Sequence, residues 1–226
     1  LKVIIVTLFS EEIIFALKLS LLTATISTAM ALSVAIPSAY ALSRFNFFGK
    51  NILTTLFSVP LVLPPVAMGA SLLIFLTNTS LGRVVERIFN FIFNVHGIVL
   101  AQFIVIMPLA LWSLKSSFDT ISPRYEQVAM TLGYGRIKAI IKTTIPLARS
   151  GILTATILSW ARALGEFGAT VTLAGATPMK TETLPIAIYL TLSVANLTKT
   201  CAVIIILLVV ALLSLFLIQR LGKIPM

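Results

Sequence analysis

The sequence predicts an all-α integral membrane protein, and three observations carry that prediction. Of its 226 residues, 58% are hydrophobic and only 11% charged, with a mean hydropathy of +1.08, more apolar side chain than a water-soluble core absorbs. The apolar runs are long and unbroken, whereas a membrane β-barrel alternates over segments of about ten residues. The polar residues gather in short clusters between those runs. No soluble linker, low-complexity tract or internal repeat interrupts them, so residues 1–226 read as a single membrane domain.

The formal net charge is +10. In a soluble chain that balance points to nucleic acid. Here the cations flank apolar spans, as topology and anionic lipid demand, so membrane lipid is the expected partner and nucleic acid is not. Cys201 is the only cysteine, which excludes an intrachain disulfide and a cysteine metal cluster. His96, the only histidine, lies in a loop without a partner cluster and reads as a surface residue; no metal site is expected.

In chain order, residues 1–9 are apolar but too short to span, and Glu11 and Glu12 stop the run. The stretch lacks the basic start and small-residue cleavage site of a signal peptide. Because the chain starts with Leu1, residues upstream are expected. The first span is 19–40, rich in Ala, Ser and Thr, which favour close helix packing inside a bundle. A second span, 52–76, contains Pro60, Pro64 and Pro65 in VPLVLPPVAMG. Prolines free backbone carbonyls that must find other partners. Two readings stay open there: a packing kink, or a broken helix bordering a pathway.

A loop, 77–95, precedes a third span, 97–114. The fourth span is 151–174. A polar turn, 175–183, then leads to 184–194, about eleven apolar residues, read as interfacial or re-entrant. The fifth span is 202–218. Arg44, Lys50, Lys115, Arg124, Arg136, Lys138, Lys142, Arg149, Arg220 and Lys223 fall on one side of these five spans. Lys2, Lys18, Arg83, Arg87, Lys180 and Lys199 fall on the other. The positive-inside rule then puts the N-terminus outside and the C-terminus in the cytoplasm.

The longest polar interruption is SPRYEQVAMTLGYGRIKAIIKTTIP, residues 122–146. Ser122 followed by Pro123 is a helix start. Tyr125, Val128, Ala129 and Leu132 form one apolar stripe, and Gly133 stands where a helix stop needs a left-handed residue. A second short helix restarts near Arg136, with Ile137, Ile140 and Ile141 on one face, and ends at Pro146. The result is either an ordinary loop or a two-helix knob that fits another protein's groove.

One further stretch combines charge with a span: SWARALGEFGAT, residues 159–170. Ionised residues inside a span face a bundle interior or a water-filled cavity. Arg162 and Glu166, at i and i+4, pair on one helix face. Arg162 lies 13 residues beyond Arg149, about 20 Å along a helix, in the outer half of the membrane. A structural ion pair and an anion path drawn by Arg162 are both open readings, with Ser159 and Phe167 beside it and Gly165 and Gly168 allowing close approach.

The interruption at 122–146 resembles the EAA loop of ABC importer permeases: Glu-Ala-Ala, Gly four positions on, then Ile-x-Leu-Pro. Aligned on Gly133 and Pro146, the motif falls on Gln127, Val128, Ala129, Gly133, Thr143, Ile145 and Pro146. Gln127 replaces the acid, with Glu126 beside it, and Thr143 replaces an isoleucine. WARALGEFGATVTLAG, TETLPIAIY and VPLVLPPVAMG are similar to the molybdate, tungstate and sulfate branch, most of all to molybdate permeases.

The resemblance implies a MetI-like permease fold of about five transmembrane helices with a cytoplasmic coupling-helix loop, 115–146, in a multi-pass cell-membrane protein. It implies ATPase coupling through Glu126, Gln127, Val128, Ala129, Gly133 and Pro146. The translocation path or gate would involve Ser159, Arg162, Glu166, Phe167, Gly168, Pro64 and Pro65. Partners would be a second copy of the chain, two ABC ATPase subunits carrying ATP and Mg, and an extracytoplasmic oxyanion-binding protein. No cofactor and no catalytic residue are expected in this chain, which has no Gly-x-x-x-x-Gly-Lys-Ser/Thr loop. The expected cargo is molybdate, with sulfate or thiosulfate and tungstate as alternatives. A secondary transporter or channel, the rival class, calls for coupling carboxylates or inverted repeats, and Glu166 is the only deep acid.

Overall fold

Proline, glycine and small residues decide where this chain bends and where its helices touch. The computed structural model describes residues 10–222, so the 1–9 stretch with Lys2, and Lys223, lie outside the described residues. Among those described, every regular element is helical. α1 runs over Glu11–Arg44, 34 residues where 22 were expected from 19–40. Glu11 and Glu12 occupy its first turn, where carboxylates complement the helix dipole. Ala24, Ser27, Ala31, Ala35, Ala39 and Leu42, spaced by three or four, are all buried, which is the small-residue interface the composition predicted.

The 52–76 segment is not one helix. α2 covers Lys50–Val62 and α3 covers Pro65–Asn78, and the two are bent by 114°. Adjacent prolines are the cause. Each forces its predecessor out of the helical region, so Leu63 and Pro64 both have ψ of 137°. Of the two readings left open by the sequence, the broken helix is the one adopted. The 77–95 loop also carries a helix, α4, Ser80–Phe89, too short and too charged to stand out as an apolar run.

α5, Val95–Asp119, outruns 97–114 at both ends and shortens the polar loop that follows. That loop holds α6, Arg124–Thr131, and α7, Arg136–Ala139. Pro146 does not end the second short helix as expected. A π-turn, Ile140–Thr144, hands on to a single turn, Ile145–Leu147, and then to α8, Arg149–Leu164. In that wide turn Ile145 N–H donates to the Ile140 carbonyl, so the backbone re-registers just before a residue with no N–H to give.

The 151–174 span is broken as well: α8 stops at Leu164, and α9 restarts over Gly168–Ala174. α10, Leu184–Ser193, is ten residues, about 15 Å, too short to cross as the sequence indicated. α11 covers Leu197–Gly222. Three described helices are long and apolar enough to cross a membrane on their own, α1, α5 and the Leu197–Ser214 part of α11, with α2 and α3 as a bent pair. Of the five spans expected from the sequence, three are continuous helices and 52–76 is the bent pair, while 151–174 is divided between α8 and α9.

The main core lies where α1, α5 and α8 meet. Ala24, Ala31, Ala35 and Ala39 face Ile106, Ala110, Leu111 and Leu114, closed by Ala155 and Ala163. Gln102 ties the three together. It is buried, donates to the Ala163 carbonyl at 3.0 Å, and accepts from Ser27 Oγ at 2.9 Å. The two ends of the bundle are marked by ion pairs. Lys199 pairs with Glu12, joining the starts of α11 and α1, while Arg44 at the other end of α1 meets Glu126 of the polar loop.

Candidate functional site: a surface knob and a helix break

The knob is built from a helix that stops on a glycine. Ser122 Oγ accepts the Arg124 N–H at 3.4 Å, placing the start of α6 within a residue of its expected position. At the far end Gly133 has φ +89°. Its N–H donates to the Met130 carbonyl at 3.0 Å, and the Tyr134 N–H to that of Ala129 at 3.2 Å. That pair of bonds is the Schellman motif, which satisfies carbonyls a helix end leaves open.

The apolar stripe divides. Ala129 is buried, while Tyr125, Val128 and Leu132 each stand more than half exposed. With Tyr134, Lys142 and Thr143 they line an open apolar cavity of about 750 Å³. Gln127 and Pro146 are exposed on the same loop. An apolar hollow bordered by Arg124 and Lys142 is chemically suited to hold a protein segment.

Glu126 points the other way. The sequence offered it as a contact to an ATPase, but its side chain is turned inward and buried. Tyr40 Oη donates to Oε2 at 2.6 Å, Arg44 Nε to Oε1 at 3.2 Å, and Thr144 Oγ1 to Oε1 at 2.5 Å. Burial pushes its carboxyl up, yet the hydrogen bonds from Thr144 and Tyr40 and the Arg44 charge outweigh that and hold it below the usual glutamate range. Glu126 therefore fastens α6 to the end of α1 and to the π-turn at once. Arg136 adds a second tie, its guanidinium 4.7 Å above the Phe45 ring. Sequence reasoning missed Tyr40, Arg44 and Thr144. Tyr40 and Arg44 share a face at i and i+4, the available signal, but nothing local says which loop that face meets.

The second feature is the break between α8 and α9. Arg162 and Glu166 do pair, Nη1 to Oε2 at 2.6 Å, but not along one continuous helix. Glu166 sits in the break, where its Oε1 accepts the Ala169 N–H at 3.0 Å and holds the restarted helix. Its side chain is 1% exposed and that of Arg162 is 39% exposed, so the cation faces open space and the anion does not.

The two breaks in the chain touch each other. A Cβ on Gly168 would lie 2.9 Å from Val66 Cγ2 and 3.2 Å from Pro65 Cβ; one on Gly69 would lie 2.6 Å from the Ala169 carbonyl oxygen. Only glycine permits that approach. Phe167 packs on Tyr189 of α10, ring centroids 5.5 Å apart. Of the residues assigned to a path, Pro65, Arg162, Glu166, Phe167 and Gly168 thus gather around one point, and Pro64 precedes it as the hinge. Ser159 lies one turn earlier on α8, buried, with a hydroxyl that has no partner; Thr170 Oγ1 is likewise unpartnered.

Comparison with known proteins identifies the family and the fold. Residues 27–223 match the family described as the inner membrane component of binding-protein-dependent transport systems. The chain is 43% identical over 182 residues to the putative molybdenum transport system permease protein YvgM of Bacillus subtilis strain 168, covering 79% of this chain and 80% of that one. It is 38% identical over 179 residues to the molybdenum transport system permease protein ModB of Haemophilus influenzae, covering 78% of each. Among solved structures, the inward-facing MetNI methionine ABC transporter shares the fold, with a TM-score of 0.73 over 95% of this chain and 98% of that one at 14% identity.

Proposed function

Since the chain belongs to the family of binding-protein-dependent transport system inner membrane components, we propose that its cargo is molybdate and that the knob and the paired helix breaks divide the labour of moving it. It is a multi-pass membrane permease subunit of the MetI-like fold and not itself an enzyme. A separate ATPase subunit and a binding protein complete the importer. The observation that carries the proposed division is Glu126: turned inward onto Tyr40, Arg44 and Thr144, it makes the exposed Tyr125, Val128 and Leu132 face a rigid extension of α1.

In this reading an ATPase subunit seats its surface in the knob's apolar hollow, and ATP with Mg, bound on that partner, supplies the driving energy. Two copies of this chain and two ATPases make the complete assembly. Displacement of the knob passes through Glu126 to α1, and α1 packs on α8, which carries Arg162 to the break. There the half-exposed guanidinium offers positive potential to an oxyanion. The name shared by the relatives favours molybdate over sulfate or thiosulfate, and tungstate resembles it closely in size and charge. ATP-driven uptake of labelled molybdate into vesicles holding all three components is the test. Unlabelled molybdate is expected to compete far better than sulfate; equal competition by sulfate would move the assignment to a sulfate carrier, and uptake without the ATPase would make the protein a secondary transporter.

The grouping of cations supports a cytoplasmic knob, with the Glu11 end of α1 outside and the Arg220 end of α11 inside. Both Tyr134 and Ser80 are exposed, at opposite ends of the bundle. In a Cys201→Ala background, an impermeant thiol reagent added to intact cells is expected to label Ser80→Cys at once and Tyr134→Cys only after the membrane is opened. The reverse order means an inverted orientation.

A further inference from the structure

Helix α4 presents a face that neither the knob nor the helix break uses. Leu81, Val84 and Ile88 fall at i, i+3 and i+7, and are 74%, 54% and 65% exposed, with Phe89 beside them. Arg83 and Arg87 lie at i and i+4 on the flank of that edge, both exposed. The remaining side is gripped by the protein. Gly82 rests against the Phe75 and Leu76 backbone, where no Cβ fits, and its N–H is held by Thr79 Oγ1 at 2.9 Å. Glu86 accepts the N–H groups of Phe91 at 3.0 Å and Ile92 at 3.1 Å.

Two consequences follow from that grip. The helix cannot roll its apolar edge inward, because Gly82 and Glu86 fix the opposite side. The carboxylate of the helix itself, Glu86, is committed to backbone, and among the described residues neither arginine forms an ion pair; Arg83 donates to the Thr77 carbonyl at 3.5 Å. An apolar edge bordered by unpaired arginines is the pattern of a helix lying in a membrane interface. The edge also continues the surface of α3, whose last turns leave Ile74 and Phe75 exposed.

We propose that α4 is a docking surface for anionic phospholipid, in the leaflet at the bundle end opposite the knob. Leu81, Val84 and Ile88 enter the acyl region, and Arg83 and Arg87 hold headgroup phosphates. Charge selects lipid over a protein partner: two arginines on so narrow an edge match the dense phosphates of a leaflet, and the exposed face of α3 leads the membrane surface directly to α4. The lipid contact then bears on α3, whose Gly69 packs against Ala169 beside the helix break.

The test uses the complete transporter, reconstituted in phosphatidylcholine vesicles with and without phosphatidylglycerol. In a Cys201→Ala background, nitroxides attached through Val84→Cys and Ile88→Cys are expected to collide with oxygen far more than with an aqueous nickel chelate. Phosphatidylglycerol is expected to slow both probes and to remain bound through purification. Arg83→Gln with Arg87→Gln should lower that retention on the order of tenfold and remove the slowing, with the oxygen preference kept. Probes dominated by nickel collisions would place the edge in water, and probes shielded from both reagents would place it against a protein. Either result, or lipid retention indifferent to the arginines, overturns the proposal.

Discussion

Arg162→Met is expected to be the most damaging single substitution at the helix break, costing about 3–5 kcal/mol, because it strands a buried carboxylate. Glu166 is 1% exposed and would keep only the Ala169 N–H. The converse change, Glu166→Gln, should be milder, about 1–2 kcal/mol, since Arg162 is 39% exposed and turns toward water, and the amide oxygen still serves Ala169. Replacing both by Met removes the charges together and should recover most of the stability. These are differences in unfolding free energy of detergent-solubilised protein. Uptake separates the two roles of the pair. If Arg162 also draws the anion, the double variant should assemble and hydrolyse ATP with its partner, yet lose roughly tenfold in molybdate flux, the equivalent of about 1.4 kcal/mol. Full flux in that variant reduces the pair to a structural tie.

The second large effect is expected at Glu126→Gln. Glutamine keeps one oxygen for the donors that now share two, and it leaves the Arg44 guanidinium, itself nearly buried, without its counter-charge. The loop should lose about 2–3 kcal/mol of anchoring. The decisive readout is the number of ATP molecules hydrolysed per anion imported, which should rise about fivefold, since the knob still binds the ATPase but no longer moves α1 with it. An unchanged ratio means Glu126 only stabilises the loop. Acid should mimic the substitution. The Glu126 carboxyl is held below the ordinary glutamate range in the folded protein, so its contribution is complete above that range and is lost as pH falls through the lowered value. Glu126→Gln should therefore flatten the acid limb of the stability profile and leave the neutral plateau lower.

The sequence by itself determined the membrane class, the approximate position of each apolar run, the helix stop at Gly133 and the pairing of Arg162 with Glu166. Each of these rests on composition or on contacts within about four residues, which local spacing encodes. Even the pattern that carries the family resemblance in the loop is local: a glycine and a proline at fixed separation. The tertiary structure alone decided which way the side chains of the loop face. Gln127 and Glu126 are adjacent, and only the arrival of α1, some eighty residues earlier in the chain, turns the acid inward onto Tyr40 and Arg44.

It also decided that two apparent spans are broken. A hydropathy run cannot tell a kink from a 114° bend, because Pro64 and Pro65 remove the same hydrogen bonds in both. What settles the outcome is whether the freed groups and the glycine faces find a neighbour. Here each break supplies the other: Gly168 admits Pro65 and Val66, and Gly69 admits Ala169. The 77–95 stretch reads as a loop for a different reason. α4 is amphipathic and short, and its contacts through Thr79, Gly82 and Glu86 all lie within seven residues along the chain, so its signal is local but is a cap and a close approach rather than an apolar run.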